Sequence, residues 1–115
     1  MTDYIRQAQA FLRTAEAAFE ASDYGPCYEN ARTAAELAAK HLLAKKGVPP
    51  KAHNVAEALT EAGHWPTGEP FKRLSKFLGD HTRGIYGFHE PITGKEAQRG
   101  LQLAKQVIEK AQSLT

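Results

Sequence analysis

Ile5, Ala8, Leu12, Ala15 and Phe19 recur at spacings of three and four, with Phe11 and Ala18 widening the stripe and polar residues filling the other side. That period lines one face of an α-helix and scatters a strand's side chains over both faces, so residues Asp3 to Ala21 are predicted to form an amphipathic first helix. The period returns in later segments, and no segment alternates well enough to compete as a strand.

Breakers divide the helices. Ser22 and Asp23 are good N-cap residues and Pro26 suits a first turn, so a second helix is expected from about Tyr24 to about Lys46. Gly47 fits the left-handed residue after a helix end, Lys45 and Lys46 suit the negative end of the helix dipole, and Pro49 and Pro50 forbid continuation. This helix carries a face of small residues, Cys27, Ala31, Ala34, Ala35 and Ala38, ending in Leu42, which lets neighbours approach its backbone closely. A shorter helix is expected from about Ala52 to Ala62, then a surface loop from Gly63 to Pro70. Phe71, Leu74, Phe77, Leu78, His81 and Ile85 mark a fourth helix whose end is blurred by Gly79, Gly84 and Gly87. Thr93, three residues before Glu96, reads as a capping box, and Ala97, Leu101, Ala104, Ile108 and Ala111 form the stripe of a long last helix.

The expected architecture is therefore an all-α, antiparallel up-and-down bundle of four to five helices, occupying residues 1–115 as one domain with one core. Apolar residues are 42% and charged residues 24%, values typical of folded chains. The apolar runs are too short for a membrane span or a secretory signal, so no membrane association and a cytoplasmic location are the default expectations. The only cysteine, Cys27, excludes an internal disulfide and a cysteine-based zinc cluster, and it suits a small buried position. With a net charge of only +2, any nucleic-acid contact must come from a local patch. Lys72, Arg73 and Lys76, together with Lys45, Lys46 and Lys51, are candidates for a basic rim, although such runs are usually solvated helix faces.

Taken in order, these parts resemble the HEPN family. The opening helix is followed by Asp23-Tyr24 leading into Ala34-Ala35-Glu36-Leu37-Ala38-Ala39-Lys40, then by His53 after a proline-rich turn, an Arg83-to-Tyr86 segment and a final helix. The resemblance covers nearly the whole chain. It implies the helical bundle and a choice of functions, because families with this fold include RNA-cleaving toxins with an Arg-x4-6-His motif, subunits encoded beside a minimal nucleotidyltransferase, and members without known activity.

Here five residues separate Arg83 from His89, inside that window. Metal-independent RNA cleavage needs a base and an acid for the attacking 2′-hydroxyl and the leaving oxygen, and a cation for the phosphorane charge. The resemblance assigns proton transfer to His89 and phosphate binding to Arg83. Tyr86 would share a face with Arg83 in a continuing helix and stack on a base or bond a phosphate. Plain structural roles stay open: Arg83 capping carbonyls or pairing with Asp80, and His89 sitting in a polar loop. On the second helix Glu36 and Lys40 are spaced as an ion pair, and Asn30 or Glu36 is a candidate to orient Arg83.

His81, His89, Asp80 and Glu90 do not fall at metal-ligand spacing on one helix face, and no Walker or dinucleotide loop occurs, so neither metal nor cofactor is expected. His53 is read as a cap or a packed polar residue. The resemblance also implies a homodimer whose two motifs share a cleft. Three readings follow: a ribonuclease toxin of a toxin–antitoxin pair, a helical dimer that binds RNA, a nucleotide or a nucleotidyltransferase-type antitoxin, and a purely structural dimer.

Overall fold

The computed structural model describes residues 3–48, 55–80 and 91–113. Among them lie five helices and no strand: α1 (Tyr4–Glu20), α2 (Tyr24–Lys45), α3 (Val55–Glu61), α4 (Glu69–Gly79) and α5 (Gly94–Ser113). The all-α bundle predicted from periodicity is the fold observed.

The helix ends follow from local chemistry. Asp3 caps α1, its Oδ1 accepting the backbone N–H of Arg6 at 3.0 Å, which satisfies one of the donors a helix N-terminus leaves over. At Gly47, with φ +76°, α2 closes through two bonds: Val48 N–H to Leu43 O at 2.9 Å and Gly47 N–H to Ala44 O at 3.1 Å. The same paired closure ends α1, where Ser22 N–H reaches Phe19 O at 3.0 Å and Asp23 N–H reaches Ala18 O at 2.8 Å. Ser22 and Asp23 are both candidates for the N-cap of α2, and Asp23 fills it. Ser22 is the left-handed residue, with φ 62°.

A left-handed L-residue costs about 1–2 kcal/mol that glycine avoids. Glycine in turn loses about 0.5–1 kcal/mol through its freer unfolded chain. Ser22→Gly is therefore expected to stabilise the protein by on the order of 0.5 kcal/mol, read as a small rise in midpoint by thermal denaturation. A fall in the midpoint would contradict the argument.

Helix α2 is the centre of the fold and touches each of the other four helices. Cys27, Ala31, Ala34, Ala35, Ala38 and Ala39 are fully buried along it, and their small side chains let α1 and α5 pack close to its backbone on two sides. Burial pushes the Cys27 thiol up to about 11, so at neutral pH it is an inert packing group rather than a nucleophile. The stripe of α1 holds at Ala8 and Ala15, both fully buried, but Phe11 is 38% exposed and lies off the contact face. The reason is geometric: α1 meets α2 and α5 along one side only, and Phe11 sits on its outer flank.

Helix α3 begins within the expected span, whose first residues lie outside those described. Residues 63–70 are more than a surface loop. Glu69 and Pro70 already belong to α4, and the half-buried Trp65 packs on the core and donates its indole N–H to Pro70 O at 3.1 Å. Helix α4 packs on α2 and α3 through Leu74 and Phe77. The capping box of α5 is present, with Glu96 N–H donating to Thr93 Oγ1 at 3.1 Å and Thr93 N–H to Glu96 Oε1 at 3.4 Å.

Candidate functional site

Helices α4 and α5 run antiparallel. Phe77, near the end of α4, lies against Gly100 near the start of α5, while His64, just before α4, sits close enough to Lys110 near the end of α5 to feel its charge. A Cβ on Gly100 would stand 3.1 Å from the Phe77 ring and 3.4 Å from that of Tyr28, so the absence of a side chain there lets the two helices meet. Away from that contact they part, leaving a groove of about 930 Å³.

The groove floor and one end are aromatic. Tyr28 packs edge-on against Phe77, ring centroids 5.2 Å apart at 86°, and its hydroxyl donates to Asp80 Oδ2 at 3.1 Å. These contacts pin the last turn of α4 to α2. Trp65 and Pro66 line the opposite end.

The walls are cationic. Among the described lining residues, Arg73 and Lys76 come from α4 and Arg99 and Lys110 from α5, against a single carboxylate, Glu96. Lys76, Arg99 and Lys110 have no ion-pair partner among the described residues. Four positive groups facing one negative group focus a positive potential in a chain whose net charge is near neutral.

Of the basic rim expected from sequence, Arg73 and Lys76 reach the groove, whereas Lys72 pairs with Glu69 on the exposed side of α4 at 3.7 Å. Lys51 lies outside the described residues, and Lys46 stands near His64 beyond the groove's end. Arg99 and Lys110 complete the cationic lining instead. Their positions on the polar side of the α5 stripe were the only sequence signal for them.

Helix α2 holds a second charged cluster. Arg32 donates to Glu29 Oε1 through Nη2 at 2.8 Å and Nε at 3.2 Å, and to Glu36 Oε2 through Nη1 at 3.3 Å. The Arg32 side chain is 12% exposed. Burial alone would lower its pKa, but Glu29 and Glu36 outweigh that and raise it. The expected Glu36–Lys40 pair is formed at 3.7 Å, as the outer link of this cluster. Sequence reasoning found that link and missed its centre, although Glu29, Arg32, Glu36 and Lys40 repeat at the three- and four-residue spacing of one helix face. Asn30 donates its amide to Pro26 O at 2.8 Å. It lies two residues from Tyr28, about 160° round the helix, and so faces away from α4. Asn30, Glu36 and Lys40 are not among the groove's described lining residues.

Arg83, Tyr86 and His89, with His81 and Glu90, lie outside the described residues, as does His53. The described residues nearest to the first group in the chain include Asp80, held by Tyr28 at the end of α4, and Thr93, which opens α5. Among the described residues no group of three or more His, Cys, Asp or Glu is arranged to hold a metal ion, and no helix is long and apolar enough to cross a membrane.

His41 and His64 are both held below the ordinary 6.5, first by burial, then by Lys45 for His41 and by Lys46 and Lys110 for His64. A depressed histidine pKa means that the unfolded chain takes up the proton first as pH falls. Stability is therefore full above about pH 6.5 and declines as the medium is acidified towards the folded-state values. The melting temperature is expected to drop between about pH 7.5 and about pH 5.5, and the drop should shrink in His41→Gln/His64→Gln. An identical pH response in parent and double variant would contradict this assignment.

A family model described as HEPN domain matches residues 1–114 of the chain. No curated protein and no solved structure matches it significantly.

Proposed function

Because the chain belongs to the HEPN domain family, we propose that it binds RNA in the groove between α4 and α5 and cleaves it without a metal ion. The observation that carries this reading is the cationic groove, with Lys76, Arg99 and Lys110 unpaired among the described residues. Lysine and arginine side chains without internal partners are available to replace the counterions of a phosphate backbone.

In the proposed reaction the 2′-oxygen bonds to its neighbouring phosphorus as the bond from phosphorus to the 5′-oxygen breaks, leaving a 2′,3′-cyclic phosphate and a 5′-hydroxyl. One proton leaves the 2′-hydroxyl and one arrives at the 5′-oxygen. His89 handles one of these transfers, and Arg83 binds the non-bridging oxygens, where negative charge builds. Tyr86 contacts the adjoining base or phosphate. A homodimer supplies the second acid or base by bringing two copies of the motif to one cleft. The charged cluster of α2, Glu36 with Arg32 and Lys40, stiffens the central helix on which the groove's Tyr28 is mounted.

Such an activity would suit the toxin of a toxin–antitoxin pair acting in the cytoplasm. The test is incubation of the purified protein with a mixed RNA pool in EDTA. Fragments ending in cyclic phosphate support the proposal, and RNA that stays intact at high protein concentration sinks it.

One observation favours a second reading. Arg73, Lys76, Arg99 and Lys110 among the described residues already give the groove a cationic lining, which would hold a nucleotide or the acidic surface of a partner such as a nucleotidyltransferase-type antitoxin even where no cleavage follows. Saturable binding of RNA or of such a partner, with the RNA recovered whole, supports that reading.

A further inference from the structure

The end of the groove opposite Tyr28 carries a feature that the proposed cleavage does not use. Trp65 is the only tryptophan in the chain. It is half-buried at the groove mouth rather than enclosed in the core, and its ring edge is fixed by the 3.1 Å bond to Pro70 O. The part of the ring that lines the groove is held in place by that bond, so it can meet a ligand at little entropic cost. Lys110 stands at the same end without an ion-pair partner among the described residues, and Arg73 lines the wall between Trp65 and Lys76.

We propose that Trp65 and Lys110 form a base-stacking and phosphate subsite remote from Asp80, and that the groove therefore takes a single strand several nucleotides long. This rests on the reading of the groove as an RNA site. Glu96 and Lys110, which mark its two ends on α5, are fourteen residues apart, or about 21 Å along the helix axis. A mononucleotide stacked on Trp65 cannot also reach Tyr28 and Glu96 at the other end, whereas an extended strand can. A duplex is excluded because its bases are stacked on one another and offer the indole no face. Base stacking and phosphate contact are common to RNA and single-stranded DNA, so the subsite supplies affinity and reach, and the need for a 2′-hydroxyl in cleavage selects RNA.

The lone tryptophan makes the proposal directly measurable. In a His89→Ala background, which leaves the ligand intact, indole fluorescence is titrated with single-stranded RNA of increasing length, single-stranded DNA, duplex RNA, adenosine monophosphate and polyglutamate, with binding followed in parallel by anisotropy of labelled oligonucleotides. The expected result is saturable quenching by single strands, with affinity rising with length until the groove is spanned and little response to the other three probes.

Trp65→Ala should weaken oligonucleotide binding about tenfold, while Trp65→Phe, which loses the same bond to Pro70 but keeps a ring, should retain most of it. Lys110→Glu should weaken binding and lower the slope of log affinity against log salt by about one, whereas Lys105→Glu, which removes a surface partner of Glu16, should do neither. Oligonucleotides that bind by anisotropy without quenching, and with Trp65→Ala unaffected, would overturn the subsite and leave the RNA reading standing. Anisotropy that shows no oligonucleotide bound at any length would overturn both. Quenching by polyglutamate as strong as by RNA would reassign the groove to a protein partner.

Discussion

If the chain cleaves RNA as proposed, alanine in place of either Arg83 or His89 is expected to lower that cleavage in EDTA by about 10²–10⁴-fold, the range for removing a positioned acid–base group or a charge-stabilising donor. The two losses should differ in kind. His89→Ala removes the proposed proton carrier, so it should lower the rate and leave RNA affinity nearly intact. Arg83→Ala removes a charge that acts as negative charge builds on the phosphate, and Arg83→Lys should recover only part of the rate because an ammonium lacks the planar, two-pronged fit to phosphate oxygens. Charge reversal at Arg99 or Lys76 belongs to another class, raising the RNA concentration needed for half-maximal rate and leaving the maximal rate in place. Single-turnover cleavage with the RNA in trace separates these outcomes. If both alanine variants cut as fast as the parent, the catalytic assignment is wrong.

The largest expected effect on stability is at Leu42. It is fully buried on α2, the helix against which all the others pack, and belongs to the main core cluster. Leu42→Ala is therefore expected to cost about 2–5 kcal/mol, the range for truncating a buried leucine. That is a large share of the roughly 5–15 kcal/mol that holds a domain together. The melting temperature should fall by roughly 8–20 °C. Urea unfolding followed by circular dichroism checks this, and the slope should stay constant while the midpoint moves. Leu42→Met, which nearly keeps the volume, should cost less than about 1.5 kcal/mol. A small loss in Leu42→Ala would mean that α2 is less tightly enclosed than its burial implies.

The helices were legible because each rule involved is local. The stripe Ala97, Leu101, Ala104, Ile108 and Ala111 repeats at the period of a helix, and all five side chains are buried on α5. Thr93 and Glu96 reach each other because the chain between them makes a single turn. Gly47 ends α2 because a left-handed residue is needed there. Ser22 stayed ambiguous because serine is a common N-cap, and only the path taken by the chain between α1 and α2 required it to turn left-handed.

The groove was only half legible for a different reason. Arg73 and Lys76 stood out as neighbours in a basic run, but Arg99 and Lys110 are isolated cations on a polar helix face, and such a residue reads the same whether solvent or another helix lies opposite. What distinguishes them is the antiparallel placement of α4 and α5, a tertiary fact set in part by the missing side chain at Gly100. Trp65 was hidden similarly, inside a breaker-rich run that suggested only a loop. Arg32 was hidden by its company: the spacing exposes a Glu–Arg–Glu–Lys ladder, but only packing reveals that its middle is dry.

The two walls of the groove differ in mechanical character. Helix α5 runs for 20 residues, buries seven of them and leans on both α1 and α2. Helix α4 runs for 11 residues, buries Leu74 and Phe77, and is tethered at its far end by the Tyr28–Asp80 bond. One side is thus anchored along most of its length and the other at a few points, so the width of the groove is set by the handful of contacts that seat α4.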